Sequence, residues 1–388
     1  MNTSEIGMTN YTPETTRRRF IQTGSAAFAG LTAAPLAAQE APAQTALPRW
    51  RGFNLLHLFN SRGDGTPHRR MPVEDDFRWM ADWGFDFVRL PMSYWNWVDS
   101  DHWETGKMRA GDVLKVNEYM LDVVDRTVEM GTKYGLHVNL NLHRAPGYCI
   151  NRPELEPFNL WTDDDAEDAF NFHLELLARR YRYIPASQVS YNLINEAPKP
   201  GTRGMATRDE YIRICIRACK TIRAIVPDAL VITDGLSVGR EPVPEFLPLK
   251  IAQSVHAYTP GQVSHYRASW VDKDGTFPEP AWPMRISADN VWDRQRLEEM
   301  FAPWAEIARQ GIGVHCGECG CYNKTPHTVF LAWFRDVMEI LKEHGIGWAL
   351  WNLRGTFGIL DSGRTDIAYE DWHGHKLDRK LLDMLLEF

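Results

Sequence analysis

The chain has 388 residues, enough for one large α/β barrel or two medium domains, and its 44% hydrophobic content is ordinary for a globular protein. Its net charge of -8 offers no broad basic face for a nucleic-acid backbone and opposes polyanionic substrates, so we expect no nucleic-acid partner. Fifteen tryptophans and thirteen tyrosines are many for this length, and such flat amphipathic rings can fill a core or line a wet groove.

The first segment of the chain has the features of an export signal. The run TRRRFIQ at residues 16–22 precedes a weakly apolar stretch that is too short and too rich in alanine and glycine to remain as a membrane span. It resembles a twin-arginine signal, with a disordered basic tail as the alternative. We predict that residues 1–46 are this signal and a short linker, and that residues 47–388 work as a monomer in the periplasm or outside the cell, without membrane attachment.

Eight apolar runs bounded by turn residues predict β-strands. They span residues 52–58, 85–92, 136–144, 188–197, 229–236, 252–258, 312–320 and 347–355. Helical spacing of apolar residues follows at 74–83, 112–134, 165–183, 206–226, 290–309, 326–344 and from 376 onward. Four helical segments end in a glycine with an apolar residue directly after it, as a left-handed helix C-cap leading into a strand requires; these are Gly84, Gly135, Gly311 and Gly345.

This alternation of strands and helices predicts an α/β fold, a (β/α)8 TIM barrel that forms a single catalytic domain. A doubly wound open sheet is the alternative, but no glycine-rich phosphate loop follows the first predicted strand. No linker rich in proline, glycine or serine separates a second domain.

The six cysteines lie at positions 149, 215, 219, 316, 319 and 321. The spacing Cys316-x-x-Cys319 does not by itself predict a zinc site, because no second CxxC motif supplies the remaining ligands. Cys215 and Cys219 are one helical turn apart and fit small core residues. A disulfide within residues 316–321 or to Cys149, and free thiols, are both open at this point.

In a (β/α)8 barrel the carboxyl ends of the strands surround one mouth, where catalytic groups stand. Six of the predicted strands bring polar or aromatic side chains to that end. These are Arg89 on the second strand, His143 on the third, Asn195 and Glu196 on the fourth, His256 and Tyr258 on the sixth, Glu318 on the seventh and Trp351 on the eighth. The sequence therefore predicts one site that these strands share.

Two carboxylates on the fourth and seventh strands, facing each other across a barrel mouth, suit the hydrolysis of a glycosidic bond. One carboxyl group lends and retrieves a proton while the other attacks the anomeric carbon, and this chemistry needs no cofactor and no metal. Asn195 is placed to hydrogen-bond the sugar 2-hydroxyl. Arg89 and the Tyr258 hydroxyl would keep the attacking carboxylate ionised.

With their flanking residues, these positions resemble the motif set of glycoside hydrolase family 5, in order and on the expected strands. The matching stretches are VRLP, LHRAPG, LINEAP, HAY, CGECG and WALWN. The resemblance runs from about Arg51 to the C-terminus. It implies a retaining β-glycosidase with Glu196 as acid/base and Glu318 as nucleophile, His143 and His256 lining the sugar subsite, and Trp351 as the platform beneath it.

The predicted substrate is an oligo- or polysaccharide, a neutral β-glucan of the cellulose or mixed-linkage type. β-Mannan, β-1,3-glucan chain ends and glycoconjugates stay open. The segment 148–161 and the loop 259–289 are predicted to close one end of the cleft, which favours chain ends or short oligosaccharides.

Several features depart from the family pattern or have no assigned role. Asn141 stands two residues before His143, where family members commonly carry aspartate, so the support of that histidine is expected to differ. The thiols around Glu318 have no functional explanation. Sugar stacking and loop packing are both open for Trp95, Trp97, Trp270 and Trp282. Asp361 and Arg364 are expected to shape their own loop rather than reach the cleft.

Two other functions are compatible with such a barrel. A carbohydrate-binding protein on an inactive barrel would have a damaged catalytic set, and here the set is intact. A metal-dependent hydrolase would use His143, His256 and the carboxylates, but the HxH pair expected at the end of the first strand is missing.

Overall fold

Eight parallel strands close into a barrel in the computed structural model, which describes residues 47–59 and 71–388. In chain order the strands are β1 (Arg51–Asn54), β2 (Phe87–Ser93), β3 (His137–Arg144), β4 (Val189–Asn192), β5 (Val231–Asp234), β6 (Ala252–Ala257), β7 (Met284–Ser287), β8 (Asn290–Trp292), β9 (Val314–Cys319), β10 (Gly347–Leu350), β11 (Glu370–Trp372) and β12 (His375–Leu377). β7 pairs with β8 and β11 with β12 as small antiparallel sheets, and the other eight strands form the barrel. Each overlaps one predicted strand, so the predicted TIM barrel is confirmed.

The order of strands around the barrel is β1-β10-β9-β6-β5-β4-β3-β2. Every neighbouring pair is parallel, including the closing pairs of β1 with β10 and with β2. All eight carboxyl ends therefore open at the same face. The loops that follow the strands, and the side chains at the strand ends, therefore surround that face.

In the part of the chain that the structure describes, seven long helices cover the barrel: α1 (Glu74–Asp82), α2 (Asp122–Tyr134), α3 (Asp164–Tyr181), α4 (Arg208–Arg223), α5 (Arg294–Arg309), α6 (His327–Glu343) and α7 (Arg379–Glu387). Short helical turns lie at His102–Thr105, Leu236–Gly239 and Gly261–Ser264. Shorter 3-10 turns lie at Leu56–Leu58, Tyr94–Trp97, Ala110–Asp112, Glu118–Leu121, Pro153–Leu155 and Pro244–Leu249.

Three predicted helices begin later than expected because other structure occupies their first residues. Residues 110–121 form two 3-10 turns, and Val116 pairs with Val98, so α2 begins only at Asp122. Residues 290–292 and 375–377 form strands β8 and β12, so α5 and α7 begin after them. In both cases an aspartate then starts the helix as its N-cap, since Asp293 and Asp378 accept main-chain N–H groups of the first turn.

The glycines predicted to end helices do so. All four have positive φ angles between 66° and 87°. The apolar residue after each glycine donates its N–H to the carbonyl five residues back, as in Phe85 to Met80 and Leu136 to Gly131. This is the hydrogen bond of a Schellman motif, and it turns the chain directly into the next strand.

The interior holds most of the bulky aromatic residues. Trp95, Trp97, Trp161, Trp304, Trp333 and Trp348 are among the largest fully buried side chains. Sugar stacking by Trp95 and Trp97 is therefore excluded, because their exposed fractions are 1% and 0%. All six cysteines are free and buried thiols, so the disulfide alternatives are not realised, and Cys215 and Cys219 lie on the buried face of α4.

The predicted export signal at residues 1–46 lies outside the described residues. Within the described part of the chain, none of the helices combines the length and the apolar composition that crossing a membrane requires.

Gly52 allows β1 and β2 to approach each other. A Cβ atom at this position would lie 1.8 Å from the Phe87 carbonyl oxygen, in the register that pairs the two strands. We expect Gly52→Ala to lower the free energy of unfolding by about 3 kcal/mol, because backbone atoms cannot relieve the overlap by changing rotamer.

Chemical denaturation measures this loss. Gly111→Ala is the matched control, since its Cβ would have nothing within 4 Å, and its effect should stay within about 0.5 kcal/mol. Equal stability of the two variants would contradict the close approach.

Candidate active site

Glu318 stands near the end of β9 and is held by two donors, one on β2 and one directly after β6. Arg89 Nη1 donates to Oε1 at 2.7 Å, and the Tyr258 hydroxyl donates to Oε2 at 3.1 Å. Burial raises the pKa of the Glu318 carboxyl, while the positive charges of His256 and Arg89 act in the opposite direction. Both oxygens are thereby fixed, and the structure brings Arg89, Tyr258 and Glu318 into contact.

Arg89 lies inside the barrel on β2 and is 1% exposed. Besides Glu318, its guanidinium donates to the side-chain oxygens of Asn192 at 3.1 Å, Asn54 at 3.1 Å and Asn195 at 2.7 Å. Asn54 in turn donates to the carbonyl of Gly317 at 3.0 Å. Sequence reasoning missed Asn54 and Asn192; the available signal was an amide within an otherwise apolar strand run.

His143 and Trp351 form an aromatic floor with Phe59, a residue that sequence reasoning did not select. The His143 and Trp351 rings stack at 5.6 Å, and Phe59 meets them edge-on at 4.6 and 5.2 Å. The amide of Asn195 lies 3.4 Å from His143 Nε2. Burial lowers the pKa of His143 well below its usual value, so this ring is neutral.

Asn141, two residues before His143, gives that histidine no side-chain hydrogen bond. Asn141 is fully buried, and among the described residues neither of its side-chain polar atoms has a hydrogen-bond partner. His143 Nδ1 lies 4.0 Å from Glu318 Oε1. Contacts with Asn195 and the stacked rings therefore position this histidine, rather than an acid two residues before it.

Glu196 follows β4 in an unusual backbone conformation. Its φ angle is 49°, a left-handed value that costs energy for a residue other than glycine. The Glu196 N–H donates to Asp234 Oδ2 at 2.9 Å, and the Tyr148 hydroxyl donates to the Glu196 carbonyl at 2.7 Å. The main chain is therefore held on both sides, and the side chain, 18% exposed, faces the mouth.

Asp234 and His256 form a buried ion pair beside Glu196. His256 Nε2 lies 3.1 Å from Asp234 Oδ2, and His256 Nδ1 lies 3.1 Å from Glu196 Oε1. Burial opposes both charges, yet the carboxylates of Glu318 and Asp234 hold the pKa of His256 well above its usual value. Burial likewise opposes the charge of Asp234, but His256, Arg89 and the Glu196 N–H keep its pKa well below the usual range.

Sequence reasoning missed Asp234. The signal was present, because a carboxylate closes the apolar run ALVITDGL on a strand to which no site residue had been assigned.

Glu196, His256 and Glu318 offer three potential metal-ligand atoms within 4.8 Å of one another. These atoms already face partners, however. Both ring nitrogens of His256 lie against carboxylates, and Glu318 is paired with Arg89. The cluster is thus built as a network of ion pairs, and we assign no metal to it.

A second group of aromatic residues, here called the aromatic wall, continues from Tyr258 along the mouth. It consists of Tyr258, His265 and Trp270 on β6 and its loop, Tyr322 after β9 and Phe357 after β10, with neighbouring ring centroids 4.9 to 6.4 Å apart. Trp270 remains 49% exposed, whereas Trp282 is half-buried and donates its ring N–H to Asp336 at 2.7 Å. The structure therefore favours loop packing for Trp282 and leaves Trp270 available to a ligand.

The loops after β3 and β4 pack together on another part of the rim. Arg203 donates to the Ile150 carbonyl at 2.8 Å, and Asn159 donates to the Gly204 carbonyl at 3.2 Å. Asp361 and Arg364 tie their loop to neighbouring segments of the chain. Asp361 accepts the Lys376 N–H, and buried Arg364 donates to main-chain carbonyls.

Comparison with known proteins agrees with this geometry. The family model described as cellulase (glycosyl hydrolase family 5) matches residues 39–356. Cellodextrinase A of Ruminococcus flavefaciens is 27% identical over 280 residues, covering 70% of this chain and 76% of the relative. Endoglucanase C of Acetivibrio thermocellus is 24% identical over 328 residues, covering 77% and 89%.

Among solved structures, a crystal structure titled as a glycoside hydrolase superposes with a TM-score of 0.81 at 36% identity. The match covers 87% of this chain and 99% of that one. The chain belongs to the cellulase family, glycosyl hydrolase family 5, and is a glycoside hydrolase.

Proposed function

We propose that this enzyme hydrolyses neutral β-glucans by double displacement with retention of anomeric configuration, using Glu318 as nucleophile and Glu196 as acid/base. The observation that carries the proposal is the separation of the two carboxyl groups. One oxygen of each lies within 4.8 Å of the other. Retaining enzymes place the two groups about 5–5.5 Å apart, whereas inverting enzymes need about 6.5–9.5 Å to admit a water molecule.

In the first step Glu318 forms a bond to the anomeric carbon as the glycosidic bond breaks, and Glu196 gives its proton to the departing oxygen. In the second step Glu196 takes a proton from water, which attacks the anomeric carbon and releases Glu318. Arg89 and Tyr258 supply the hydrogen bonds that favour the carboxylate form of Glu318. The second amide hydrogen of Asn195 is available to the sugar 2-hydroxyl, because the first faces His143.

The proposed substrate class rests on the aromatic surfaces and on the relatives. The floor of Trp351, His143 and Phe59 and the aromatic wall offer flat apolar faces, which suit the C–H faces of β-linked sugars. The names of the relatives, cellodextrinase and endoglucanase, point to β-glucans. β-Mannan and glycoconjugates are the alternatives within this family.

Two rim segments, one made by the loops after β3 and β4 and the other by the aromatic wall, limit the cleft. This arrangement favours short oligosaccharides or chain ends. Export and a monomeric state stay predictions from the sequence.

Glu318→Gln and Glu196→Gln should each lower kcat/KM on β-glucan oligosaccharides by about 10²–10⁴-fold or more, since each removes a group that must transfer a proton or form a bond. Azide should restore turnover of the Glu196 variant on aryl glycosides with good leaving groups, because it attacks the glycosyl-enzyme without a general base.

Exposed Glu175 on α3 provides the control, and Glu175→Gln should retain full activity. Near-normal rates from Glu318→Gln would refute the assignment of the nucleophile.

Activity should be unchanged after dialysis against EDTA, because the ligand atoms at the mouth are already paired with Arg89 and with each other. Hydrolysis rates before and after chelation, and after adding back Zn²⁺ or Mg²⁺, measure this. A loss that added metal reverses would support the metal-dependent alternative.

Trp270→Ala should raise KM for cellotetraose and cellopentaose by about tenfold and leave kcat on a short aryl glycoside unchanged, since an aromatic stacking contact is worth about 1–1.5 kcal/mol. Tyr183 is the matched control, because it is an 83% exposed aromatic residue at the opposite end of the barrel, before β4. Equal KM values for Trp270→Ala, Tyr183→Ala and the parent enzyme at every chain length would show that Trp270 contacts no sugar.

A further inference from the structure

Asp234 is a buried carboxylate at the barrel mouth that the proposed reaction does not use. It ends β5, it is 0% exposed, and it lies behind Glu196 rather than in the cleft. Burying a carboxylate is costly unless donors surround it. The contacts of Asp234 therefore indicate its role at the site.

Two hydrogen-bond donors and two cationic side chains surround the two oxygens of Asp234. Asn192 Nδ2 donates to Oδ1 at 3.1 Å, and the Glu196 N–H donates to Oδ2 at 2.9 Å. His256 Nε2 lies 3.1 Å from the same Oδ2, and the Arg89 guanidinium is 3.7 Å away. An ionised aspartate accepts on both oxygens, whereas asparagine of the same shape accepts on only one.

The opposite nitrogen of His256 continues the chain of contacts. Its Nδ1 lies 3.1 Å from Glu196 Oε1 and 3.8 Å from Glu318 Oε2. A carboxyl oxygen lies against each ring nitrogen. Both contacts are favourable only when both nitrogens carry hydrogen, which is the protonated form of histidine. The other charged or titratable groups around the ring are Tyr258 directly after β6, Arg89 on β2 and neutral His143 on β3.

We propose that Asp234 is the positioning residue for the Glu196 carboxyl group, holding both the Glu196 main chain and the His256 ring that orients the Glu196 side chain. The inference rests on the acid/base role proposed above for Glu196. Since His256 Nδ1–H donates to Oε1, the proton that Glu196 transfers resides on Oε2. Among the described residues Oε2 makes no hydrogen bond, and it is the oxygen left to face the glycosidic bond.

The same contact serves the step in which Glu196 loses its proton. The carboxylate that forms already has an N–H donor on Oε1, so its negative charge is stabilised as it develops. Asp234 keeps that donor in place. It also holds the Glu196 N–H in the left-handed conformation that aims the side chain across the mouth.

The test compares substrates that do and do not need a proton from Glu196. Asp234→Asn should lower kcat/KM on cellotetraose by at least about tenfold, as loss of part of general acid catalysis does. On 2,4-dinitrophenyl β-cellobioside, whose leaving group departs without protonation, the same variant should stay within about threefold of the parent enzyme. A residue that only supports the fold would lower both rates together, and that outcome would overturn the proposal.

A double-mutant cycle supplies the second readout. In a Glu196→Ala background, adding Asp234→Asn should change kcat/KM by less than about twofold, because the group through which Asp234 acts is already gone. A full additional loss in that background would overturn the proposal. If Glu196→Ala lowered kcat/KM equally on cellotetraose and on 2,4-dinitrophenyl β-cellobioside, the proposed acid/base role of Glu196 would fail instead. Failure of that role and failure of the Asp234 proposal are therefore distinguishable.

Asp86→Asn is the matched control, because Asp86 also accepts a main-chain N–H, that of Arg51 at 2.7 Å, but at the opposite end of the barrel. It should leave both substrates unaffected. Thermal melts show whether Asp234→Asn folds. If it does not fold, His256→Asn replaces it in the test, because this variant breaks the contact between Asp234 and Glu196. Its loss of kcat/KM should show the same dependence on the leaving group. Equal losses on both substrates would again overturn the proposal.

Discussion

The arrangement of side chains at the barrel mouth depends on the hydrogen bonds of the Arg89 guanidinium. It is buried inside the barrel and donates to oxygens on Asn54, Asn192, Asn195 and Glu318, which come from three other parts of the strand order. A buried cation is tolerated only when its donors are matched, so these acceptors must all be in place together. The position of Arg89 therefore fixes the nucleophile candidate Glu318 and the amide of Asn195 at the same time.

Charge balance explains the remaining arrangement. Glu196, Asp234 and Glu318 would repel one another if only carboxylates met at the mouth, and Arg89 and His256 lie among them. Each ring nitrogen of His256 faces a carboxylate, which is why the ring holds its charge despite burial. His143 Nδ1 lies farther from a carboxylate, 4.0 Å from Glu318 Oε1, and burial lowers the pKa of this ring well below its usual value, so it is neutral. Two histidines on one rim thus differ in charge because of what faces their nitrogens.

Chemistry and substrate choice are carried by different parts of the molecule. The strands and the residues directly after them hold the carboxyl groups, and the hydrogen-bonded barrel fixes their separation. The aromatic wall and the joined loops after β3 and β4 come from segments that can change without moving the strands. Differences in glycan length or linkage among family members are therefore expected to arise in these loops.

The sequence alone predicted the barrel, and it predicted that eight polar or aromatic residues meet at one candidate site. The strand runs, the C-capping glycines and the polar residues at strand ends are local signals, and parallel strands in a barrel bring their ends to one face. The first residues of three helices could be identified only in the tertiary structure. Segments predicted to be helical pair with other segments there, as β12 does with β11. The tertiary structure also showed that Trp270 is exposed whereas Trp95 and Trp97 are buried, since burial depends on which residues pack against a ring. The position of Asp234 at a strand end was visible in the sequence, but its partners were not, because contacts between strands distant in sequence leave no spacing pattern in the chain.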